Sequence, residues 1–536
     1  MRNPAYVACP SMIRTRLERL KDKETRKLIA IYLGGKMLGV AVMLGAIKGL
    51  TWFLPQVASA DDLGSLHDAT RQINNSISAI NTAWVLVTAF LVFFMQAGFM
   101  GLEIGFARSK ETVNILMECV FDTCLCGILY WAFGFAFQFG AGNAFIGHNY
   151  FFLHGAPAVY NYGGVEGGVA YNTGVAFLAF WLFQFAFADT ASTITSGAMV
   201  GRTSFKGDIL YSTCVSGFFY PIFGHWVWGP GGWLQTIGTG GIFKGLVNDD
   251  LFFRDFAGST VVHTVGGVIA LTGAIALGPR IGRKFKRDGG GPTPPSDLTW
   301  GAIGGVILWF GWYGFNPGST LAATDFVGIG RVAANTTLAA AAGGLIAVFL
   351  VYPRTKKWDL GISVNGFLGG LVAITAPCYW VSPMGAVLIG LAAGIIVPLA
   401  VDAMEWLRVD DPIGAVAVHL CCGVWGTLAI GLFATGDFGA FKGVFYGGGG
   451  NQLLTQAIGS ASCIVIVGGL SFIIFKILRT LPGSWNLRLE QDLELEGIDI
   501  TEHGTPAYHV EFGQGMTYST PSGLPPRVPV TTSSES

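Results

Sequence analysis

The segments Asp255-Phe-Ala-Gly-Ser-Thr-Val-Val-His263 and Asp411-Pro-Ile-Gly-Ala-Val-Ala-Val-His419 share the pattern D-x-x-G-x-x-x-V-H, and each opens a long apolar run. If a helix starts at each Asp, each His lies about 12 Å inside it, at about 1.5 Å of rise per residue. An ionisable side chain inside an apolar span is costly and is usually functional. One such His is explained equally well as a satisfied core residue, but two in one repeated pattern favour a shared function.

The composition is that of a membrane protein. Hydrophobic residues make up 51% of the 536 residues and charged residues only 12%, which is too apolar for an ordinary soluble domain. The 78 glycines suit helices that pack closely in lipid. A net charge of −1 argues against a nucleic-acid partner. The nine cysteines lack the spacing of a zinc or CxxC site, so we interpret them as small apolar residues and predict no metal or cofactor.

Apolar runs after residue 80 are long enough to cross a bilayer at about 20 residues each. We predict eleven such spans and therefore an all-α polytopic membrane fold. The spans cover approximately residues 81–106, 113–138, 172–200, 208–228, 257–278, 298–316, 332–352, 361–378, 384–406, 413–433 and 456–478.

Cationic residues concentrate in alternate loops between these spans. One set of loops holds, among others, Arg108, Lys110, Arg202 and Lys206, whereas the other set holds few cations. Because Lys and Arg are enriched on the cytoplasmic side, the first span is predicted to enter from outside. The C-terminus is then cytoplasmic, in a protein of the cell (plasma or inner) membrane.

The two repeated motifs open the fifth and the tenth span, which run in opposite directions. This arrangement is typical of inverted structural repeats, which place the substrate path near the membrane midplane. We therefore predict two inverted five-helix repeats, formed by spans one to five and six to ten, with the eleventh span as a C-terminal buttress. The two His would meet in the middle.

Three regions are predicted along the chain. Residues 1–60 combine a basic segment with an apolar run that ends in a small-residue pattern, and a cleaved signal peptide, a signal anchor or an additional helix explains them. Residues 80–480 form the membrane domain, with 288–296 as a flexible linker between the halves. Residues 481–536 form a cytoplasmic tail whose Pro/Ser/Thr-rich end is predicted to be disordered.

Several blocks resemble the ammonium transporter family (the Amt, Mep and Rh proteins) between about residues 80 and 510. The most specific blocks are D-F-A-G-S-T-V-V-H at 255–263, W-Y-G-F-N-P-G-S at 312–319 and D-D-P-x-G-A-V-A-V-H at 410–419. The lead-in Q-A-G-F-x-x-L-E-x-G-x-x-R at 96–108 and the tail block E-G-I-D-I-T-E-H-G at 496–504 are also similar.

The resemblance implies a role for particular residues. In this family a gate of two stacked phenylalanines follows an external site that recruits NH4+, and paired histidines line the pore below. The implied positions are Phe187 and Phe315 for the gate, Phe187, Trp228 and Ser319 for recruitment, His263 and His419 for the pore, and Asp255 for support of the recruitment site. The resemblance also implies a homotrimer and a PII-type regulator that acts at the cytoplasmic tail.

One position departs from the family pattern. Gly201 precedes Arg202 where many relatives carry Glu. This departure puts in doubt any intracellular contact that the acid would make, and leaves the pore residues unaffected.

The chemistry of these residue types agrees with the implied roles. An aromatic face attracts a cation by about 0.5–2 kcal/mol, and a Ser oxygen accepts a hydrogen bond that NH4+ can donate and K+ cannot. An intact charge in a narrow apolar bore would be very costly, so loss of the proton removes most of the barrier. Paired imidazoles can bind NH3 and relay the proton separately. Asp255 is predicted to cap a helix N-terminus and to bias the field toward cations.

Three functions remain open from the sequence. The first is transport of ammonium, and the second is an ammonium sensor that signals through the tail. Fewer than about sixty residues follow the last span, which favours transport. The third is a passive channel for CO2 or neutral NH3, which Phe187, Trp228 and Ser319 disfavour. No nucleophile–base set or nucleotide-binding motif indicates an enzyme.

Overall fold

The computed structural model describes residues 63–160, 164–166, 169–171, 174–239, 251–439 and 441–508. Predictions for residues 1–60, for part of each long external loop and for the end of the tail (509–536) lie outside the described residues. The chain divides into a unit of residues 1–75 and a unit of residues 76–536. The described residues of the first unit, 63–75, form the beginning of the first helix. The remainder of that helix and all other elements belong to the second unit.

The described residues are predominantly helical, and we number the continuous helices in chain order. They are α1 (Leu63–Phe106), α2 (Ser109–Phe139), α3 (Phe177–Gly197), α4 (residues 205–228), α5 (Ser259–Leu277), α6 (Leu298–Phe315), α7 (Phe326–Thr355), α8 (Leu360–Thr375), α9 (Pro383–Leu407), α10 (Val416–Phe433), α11 (Asn451–Leu478), α12 (Gln491–Glu496) and α13 (Ile498–His503). Short 3-10 turns occur at Phe151–Leu153, Lys286–Asp288, Pro317–Thr320, Val444–Tyr446 and Gly483–Trp485.

Five of these helices contain a π-helical turn, in which the backbone hydrogen bonds run from residue i to i+5. The turns are Tyr130–Gly134 in α2, Val215–Phe219 in α4, Ser259–Thr264 in α5, Val416–Cys421 in α10 and Cys463–Val467 in α11. Such turns are rare in proteins, and where they occur they often lie at functional sites. Those of α5 and α10 contain the two motif histidines.

Short strands lie in the loop between α2 and α3, where the sequence predicted none. Strands β1 (Val159–Tyr160) and β4 (Val175–Ala176) pair antiparallel, and so do β2 (Gly164–Glu166) and β3 (Val169–Tyr171). They are two or three residues long, too short for an alternating pattern to be visible in the sequence.

The chain is a helical, multi-pass membrane protein. Within the described residues, eight helices are long and apolar enough to cross a membrane: residues 70–106 of α1, and α2, α3, α5, α7, α9, α10 and α11. Helices α4, α6 and α8 occupy the three remaining predicted positions, and α8 has only 16 residues.

Glycines allow some of these helices to approach backbone to backbone. A Cβ added at Gly105 of α1 would overlap the backbone of Gly301 in α6, and one added at Gly304 of α6 would overlap that of Leu102. The contact between α1 and α6 therefore excludes side chains at these positions, which agrees with the use of small residues where membrane helices touch.

The tail packs against one end of the bundle, which we call the tail end, and the opposite end is called the loop end. Lys110 Nζ donates to Leu495 O (2.7 Å), and the Asp499 carboxylate accepts from the backbone N of Asn114 (2.9 Å). The linker between α5 and α6 was predicted to be flexible, yet both its ends are hydrogen-bonded. Asp288 accepts from the Arg408 guanidinium, and Ser296 N donates to the carbonyl of Ala107.

Candidate functional site

The first motif forms a tight cap on helix α5. The Asp255 carboxylate accepts from the backbone N of Gly258, Ser259, Thr260 and Val261, at 2.8–2.9 Å. Gly258 has φ +115°, a conformation that L side chains rarely adopt and that turns the chain into the helix. Four of the N–H groups that an N-terminus leaves unpaired are thus satisfied by one side chain.

The second motif repeats the cap on helix α10. The Asp411 carboxylate accepts from the backbone N of Gly414 (3.2 Å), Ala415 (2.9 Å) and Val416 (2.9 Å). Gly414 has φ +82°, again in the left-handed region. The sequence pattern therefore encodes the same local structure twice.

The prediction that each motif His lies about 12 Å inside a helix starting at the Asp is wrong. Each Asp precedes its helix, because the carboxylate has to face the free N–H groups of the first turn. His263 and His419 consequently lie in the first, π-helical turns of α5 and α10. Their depth in the protein comes from the buried segments that lead into these helices, which include Asp255 and Ile413.

The two motif histidines meet. His263 Nδ1 and His419 Nδ1 are 3.2 Å apart, and the rings are nearly parallel, with centroids 5.2 Å apart. Between two ring nitrogens at this distance there is room for one hydrogen, so one His donates and the other accepts. His263 is fully buried, its Nε2 has no hydrogen-bond partner among the described residues, and His419 is 7% exposed.

Aromatic rings continue the stack from His263 toward the loop end. Phe315 lies 5.5 Å from His263 between ring centroids, and Phe187 stacks on Phe315 at 4.0 Å with an interplanar angle of 17°. Trp312 packs 5.2 Å from His263, and its Nε1 donates to Thr375 Oγ1 (2.8 Å), which fixes the indole. The rings of Phe187, Phe315, His263 and His419 therefore form one column.

A small recess of about 40 Å³ lies against Phe187, on the side away from the column. Trp228 borders it with its ring edge-on to Phe187 (6.2 Å) and is held by a hydrogen bond from its Nε1 to the carbonyl of Asp255 (2.7 Å). Ser319 Oγ donates to the carbonyl of Phe315 (2.8 Å), which leaves its lone pairs available to a further donor. The three residues predicted for recruitment thus border one recess.

Four further residues line this recess and were not predicted from the sequence to belong to it: Phe183, Gln184, Phe256 and Leu321. The amide Oε1 of the buried Gln184 has no hydrogen-bond partner among the described residues. A polar residue inside Phe183-Gln-Phe-Ala-Phe187 and an aromatic directly after Asp255 were the signals available in the sequence. Besides Phe187 of the gate, the recess therefore presents the rings of Phe183, Trp228 and Phe256, together with two oxygen acceptors.

On the other side of the histidines, two cavities lead toward the tail end. A cavity of about 20 Å³ touches His419, and a larger one of about 630 Å³ is lined by residues of the linker and of the α7–α8 and α9–α10 connections. Both are bordered by Asn365, Ile413 and Gly414, and Asn365 Nδ2 donates to the carbonyl of Ile413 (3.1 Å). The turn at Ile413 and Gly414, which Asn365 holds by this hydrogen bond, thus separates His419 from the larger cavity.

The residues that precede the two caps carry opposite charges. Asp410 is buried and accepts from Arg280 Nε and Nη2, both at 2.8 Å, and from Arg283 Nε at 3.2 Å. Burial by itself would raise the pKa of Asp410, but the hydrogen bonds and charge of Arg280, with the charge of Arg202, hold that pKa well below its usual range. Arg254 instead lies over aromatic rings, at 3.8 Å from Phe252 among others.

The departure at Gly201 has a structural counterpart. A Cβ at this position, which has φ +77°, would overlap the carboxylate of Glu111. That carboxylate is buried and accepts from the backbone N and the Nε of Arg108. An acid from α2 therefore occupies the space next to Gly201, beside the segment that binds the tail.

The match to known proteins covers the same part of the chain as this site. The model of the Ammonium Transporter Family matches residues 83–508. Ammonium transporter Amt2 of Archaeoglobus fulgidus is 39% identical over 442 residues, which cover 80% of this chain and 88% of the relative. Ammonium transporter 1 member 3 of Solanum lycopersicum is 36% identical over 455 residues, with 80% and 93% covered.

Solved structures agree with these relatives. A protein described as Sensor Amt Protein superimposes with a TM-score of 0.68 at 35% identity and covers 80% of this chain and 99% of its own. Mep2 of Candida albicans gives a TM-score of 0.67 at 26% identity, with 78% and 88% covered. The relatives named above from their sequences are transporters rather than enzymes. From the extent of the family match and the identity to these relatives, the chain belongs to the ammonium transporter family.

Proposed function

We propose that this protein takes up ammonium by recruiting NH4+ at the recess, removing one proton, and conducting NH3 along the paired histidines. The observation that supports this proposal best is the unbroken column of Phe187, Phe315, His263 and His419, which runs from a polar recess to the cavities on the tail side. The stacked phenyl rings close this column, so a molecule passes only when the rings part, and the apolar surface then favours a neutral molecule over an ion.

The recess suits NH4+ in three respects. The rings of Phe187 and Trp228, with that of Phe256, offer faces that attract a cation, at about 0.5–2 kcal/mol depending on desolvation. Ser319 Oγ and Gln184 Oε1 can accept hydrogen bonds from the ion. A K+ ion donates no hydrogen bond, so these acceptors favour NH4+ in particular.

The column suits NH3 because it is apolar until the imidazoles. An ion that enters it would lose its hydration without a partner, which is very costly. After deprotonation, NH3 passes the two phenyl rings when they part and meets the His263 and His419 nitrogens, which can donate to its lone pair. The proton passes to the Nε2 of His263, which has no hydrogen-bond partner among the described residues and is a proton acceptor when the shared hydrogen is on His263 Nδ1. That hydrogen then moves to His419 Nδ1, and His419 Nε2 releases its own proton toward the cavity that touches His419.

Asp255 supports the recess from below. Its carboxylate caps α5, and its carbonyl holds the Trp228 indole in place. In this proposal Asp255 positions the aromatic site and adds negative charge near it, without touching the ion.

We further propose that α1 to α11 are eleven membrane spans arranged as two inverted five-helix repeats with α11 as the buttress. The similar Asp caps on α5 and α10 support the repeat, and the helices found at all eleven predicted positions support the count. The loop end then faces outside, the C-terminal tail is cytoplasmic in the cell membrane, and the protein acts as a homotrimer. A PII-type regulator would bind at the tail end.

The test is transport in cells that lack their own ammonium transporters. Ammonium-induced current and methylammonium uptake are compared for the native chain, His263→Ala and His419→Ala. A saturable current that either substitution abolishes supports the separated passage of NH3 and the proton. Uptake without current would replace this mechanism by neutral passage of NH3.

An ammonium sensor is the second candidate, favoured by the likeness to the Sensor Amt Protein. Occupancy of the recess would then be reported through the tail, whose Glu494 carboxylate accepts from the backbone N of Ile281, four residues after the end of α5. A correctly inserted protein that binds ammonium, yet gives neither current nor uptake, would establish this function in place of transport.

A further inference from the structure

Phe256 forms one wall of the recess and is tied to the connection between α8 and α9. Its ring borders the recess together with those of Phe187 and Trp228. Its backbone N donates to the carbonyl of Ala376 (3.3 Å), the residue that follows α8. This hydrogen bond fixes the backbone of Phe256, whereas the orientation of its ring depends on the side chains that pack against it.

Two aromatic side chains of the same connection pack against the Phe256 ring. Tyr379 stacks on it, with ring centroids 5.0 Å apart and an interplanar angle of 20°, and Trp380 meets it edge-on at 5.8 Å. Tyr379 is itself buried, and it is not among the described residues that border the recess. It therefore supports a wall of the recess from behind, without facing a bound ion.

The Tyr379 ring is anchored at its hydroxyl end by an acid. The hydroxyl donates to Asp325 Oδ2 (2.9 Å), and Asp325 Oδ1 accepts from the backbone N of Gly328 (3.0 Å) in the first turn of α7. A hydrogen bond to a charged acceptor is about twice as strong as one between neutral groups. Because the acid is held by the helix that it caps, the phenol has a fixed partner.

We propose that Tyr379 is a positioning residue for ammonium recruitment, which holds the Phe256 ring in place as a wall of the recess while Asp325 anchors it. The attraction between a cation and an aromatic ring requires that the face of the ring be presented to the cation. A ring that becomes ordered only when the ion binds lowers the affinity, whereas a ring that is ordered beforehand does not. The inference rests on the proposed function and adds to it a residue outside the recess that sets the affinity for ammonium.

The test is methylammonium uptake and ammonium-induced current for the full chain, in cells that lack their own ammonium transporters. Tyr379→Leu removes the stacked ring and is expected to raise the half-saturating concentration by about 2-fold to 30-fold, the range that corresponds to one interaction between a cation and a ring. Tyr379→Phe keeps the ring and removes only the hydroxyl, so a smaller rise is expected. The maximal rate should stay nearly unchanged in both variants, because Tyr379 supports recruitment and not passage along the column.

Tyr352→Leu is the matched control. Tyr352 also stacks on an aromatic ring, that of Trp358 (4.0 Å between centroids), but it lies in the last turn of α7, at the tail end. Its removal should leave half-saturation unchanged.

A double variant separates positioning from a general structural role. When Phe256→Leu is already present, Tyr379→Leu should raise the half-saturating concentration no further, because the ring that Tyr379 positions is gone. Two residues that act independently would instead add their effects.

Three outcomes in a chain that transports would overturn the proposal. These are unchanged half-saturation in either Tyr379 variant, an effect of Tyr379→Leu that is equally large with and without Phe256, and a fall in the maximal rate per inserted molecule at unchanged half-saturation. A native chain without saturable uptake or current would instead overturn the proposed function, and the inference with it.

Discussion

The two D-x-x-G-x-x-x-V-H motifs have the same backbone structure and different surroundings. In both, a carboxylate caps the helix, a glycine with positive φ precedes it, and the His lies in a π turn. The first His is enclosed by aromatic rings and is fully buried, whereas the second borders a cavity toward the tail end. The first cap also holds the Trp228 indole, while the second adjoins a buried cluster of arginines.

This difference shows that the local motif and its neighbours determine different properties of the site. The cap and the glycine determine where each imidazole is held, so a symmetric pair results. The neighbours determine what reaches each imidazole: a cation site on one side and an open cavity on the other. A pathway with direction can therefore be built from two identical local structures.

The largest expected effect concerns the residue before the second cap. Asp410→Asn removes the carboxylate that binds Arg280 and Arg283 and leaves two buried guanidinium groups without it. Breaking a buried ion pair in this way costs about 3–5 kcal/mol. The free energy of unfolding in detergent is therefore expected to fall by about this amount. The control Asp288→Asn, which breaks the exposed pair with Arg408, should change it little; comparable losses would contradict the assignment of Asp410.

The same residue predicts a pH dependence. Because the pKa of Asp410 is lower in the folded protein than its unfolded value of about 3.9, its stabilisation is complete above about pH 5 and is lost progressively as the pH falls from there through the lower, folded value. Thermal unfolding of the native chain and of Asp410→Asn should therefore differ by the same amount at pH 7 and at pH 5. A difference that shrinks by pH 5 would show that Asp410 is not held in its ionised form by its neighbours.

The next largest expected loss of stability concerns the two Asp residues that cap α5 and α10. Asp255→Asn and Asp411→Asn each replace a charged acceptor, for four and three backbone N–H groups respectively, by a neutral amide with one acceptor oxygen. Because the amide oxygen can still accept from part of these N–H groups, both variants should be less stable than the native chain by about 1.5–3 kcal/mol. Asp255→Asn should also weaken ammonium affinity, because it removes the negative charge near the recess and loosens the cap that fixes the Asp255 carbonyl, to which Trp228 Nε1 donates. Equal affinity for both variants would contradict that link.

A smaller effect separates the two histidines. His263 stacks on Trp312, Phe315 and His419, whereas His419 has a described ring contact with His263 alone. Each aromatic pair contributes about 0.5–1.5 kcal/mol and His263 has two such pairs more, so His263→Ala should destabilise the protein by about 1–3 kcal/mol more than His419→Ala. Denaturation in detergent measures this difference. The reverse order would mean that the environment of His263 is less tightly packed than the contacts indicate.

The smallest effect concerns the recess alone. Trp228→Leu removes one aromatic face, worth about 0.5–2 kcal/mol of cation binding, and should raise the half-saturating ammonium concentration by about 2-fold to 30-fold. The maximal current should change less. The control Trp425→Leu, in α10 and outside the recess, should leave half-saturation unchanged. An equal shift in both variants would remove Trp228 from the recruitment site.

The sequence predicted the parts of this fold that repeat or are strongly apolar. The eleven apolar runs coincide with helices, and the repeated motif correctly indicated that His263 and His419 belong together. The motif did not reveal where α5 and α10 begin. An Asp that caps a helix and an Asp inside the helix give the same eight-residue spacing to the His. The π turns were also invisible, since a change from i+4 to i+5 hydrogen bonds leaves no mark in hydrophobicity.

Contacts between segments that are far apart in the chain were the second feature that the sequence could not predict. Gln184 joins the recess because α3, α4 and the Pro317–Thr320 turn converge there, and no local pattern records this convergence. Glu111 of α2 fills the space beside Gly201, and the sequence shows that position 201 lacks an acid without showing which acid occupies this space. Side chains supplied from far along the chain require the structure.

The π turns of α5 and α10 also constrain which insertions and deletions the gene can tolerate. In both motifs five positions separate the glycine from the histidine, 258 to 263 and 414 to 419. Removing one residue between them would convert the π turn to an α turn and rotate the imidazole by about 100° relative to the capped end. The rings would then no longer face each other. Chain length in these two segments is therefore expected to be more restricted than residue identity, and to be restricted equally in both.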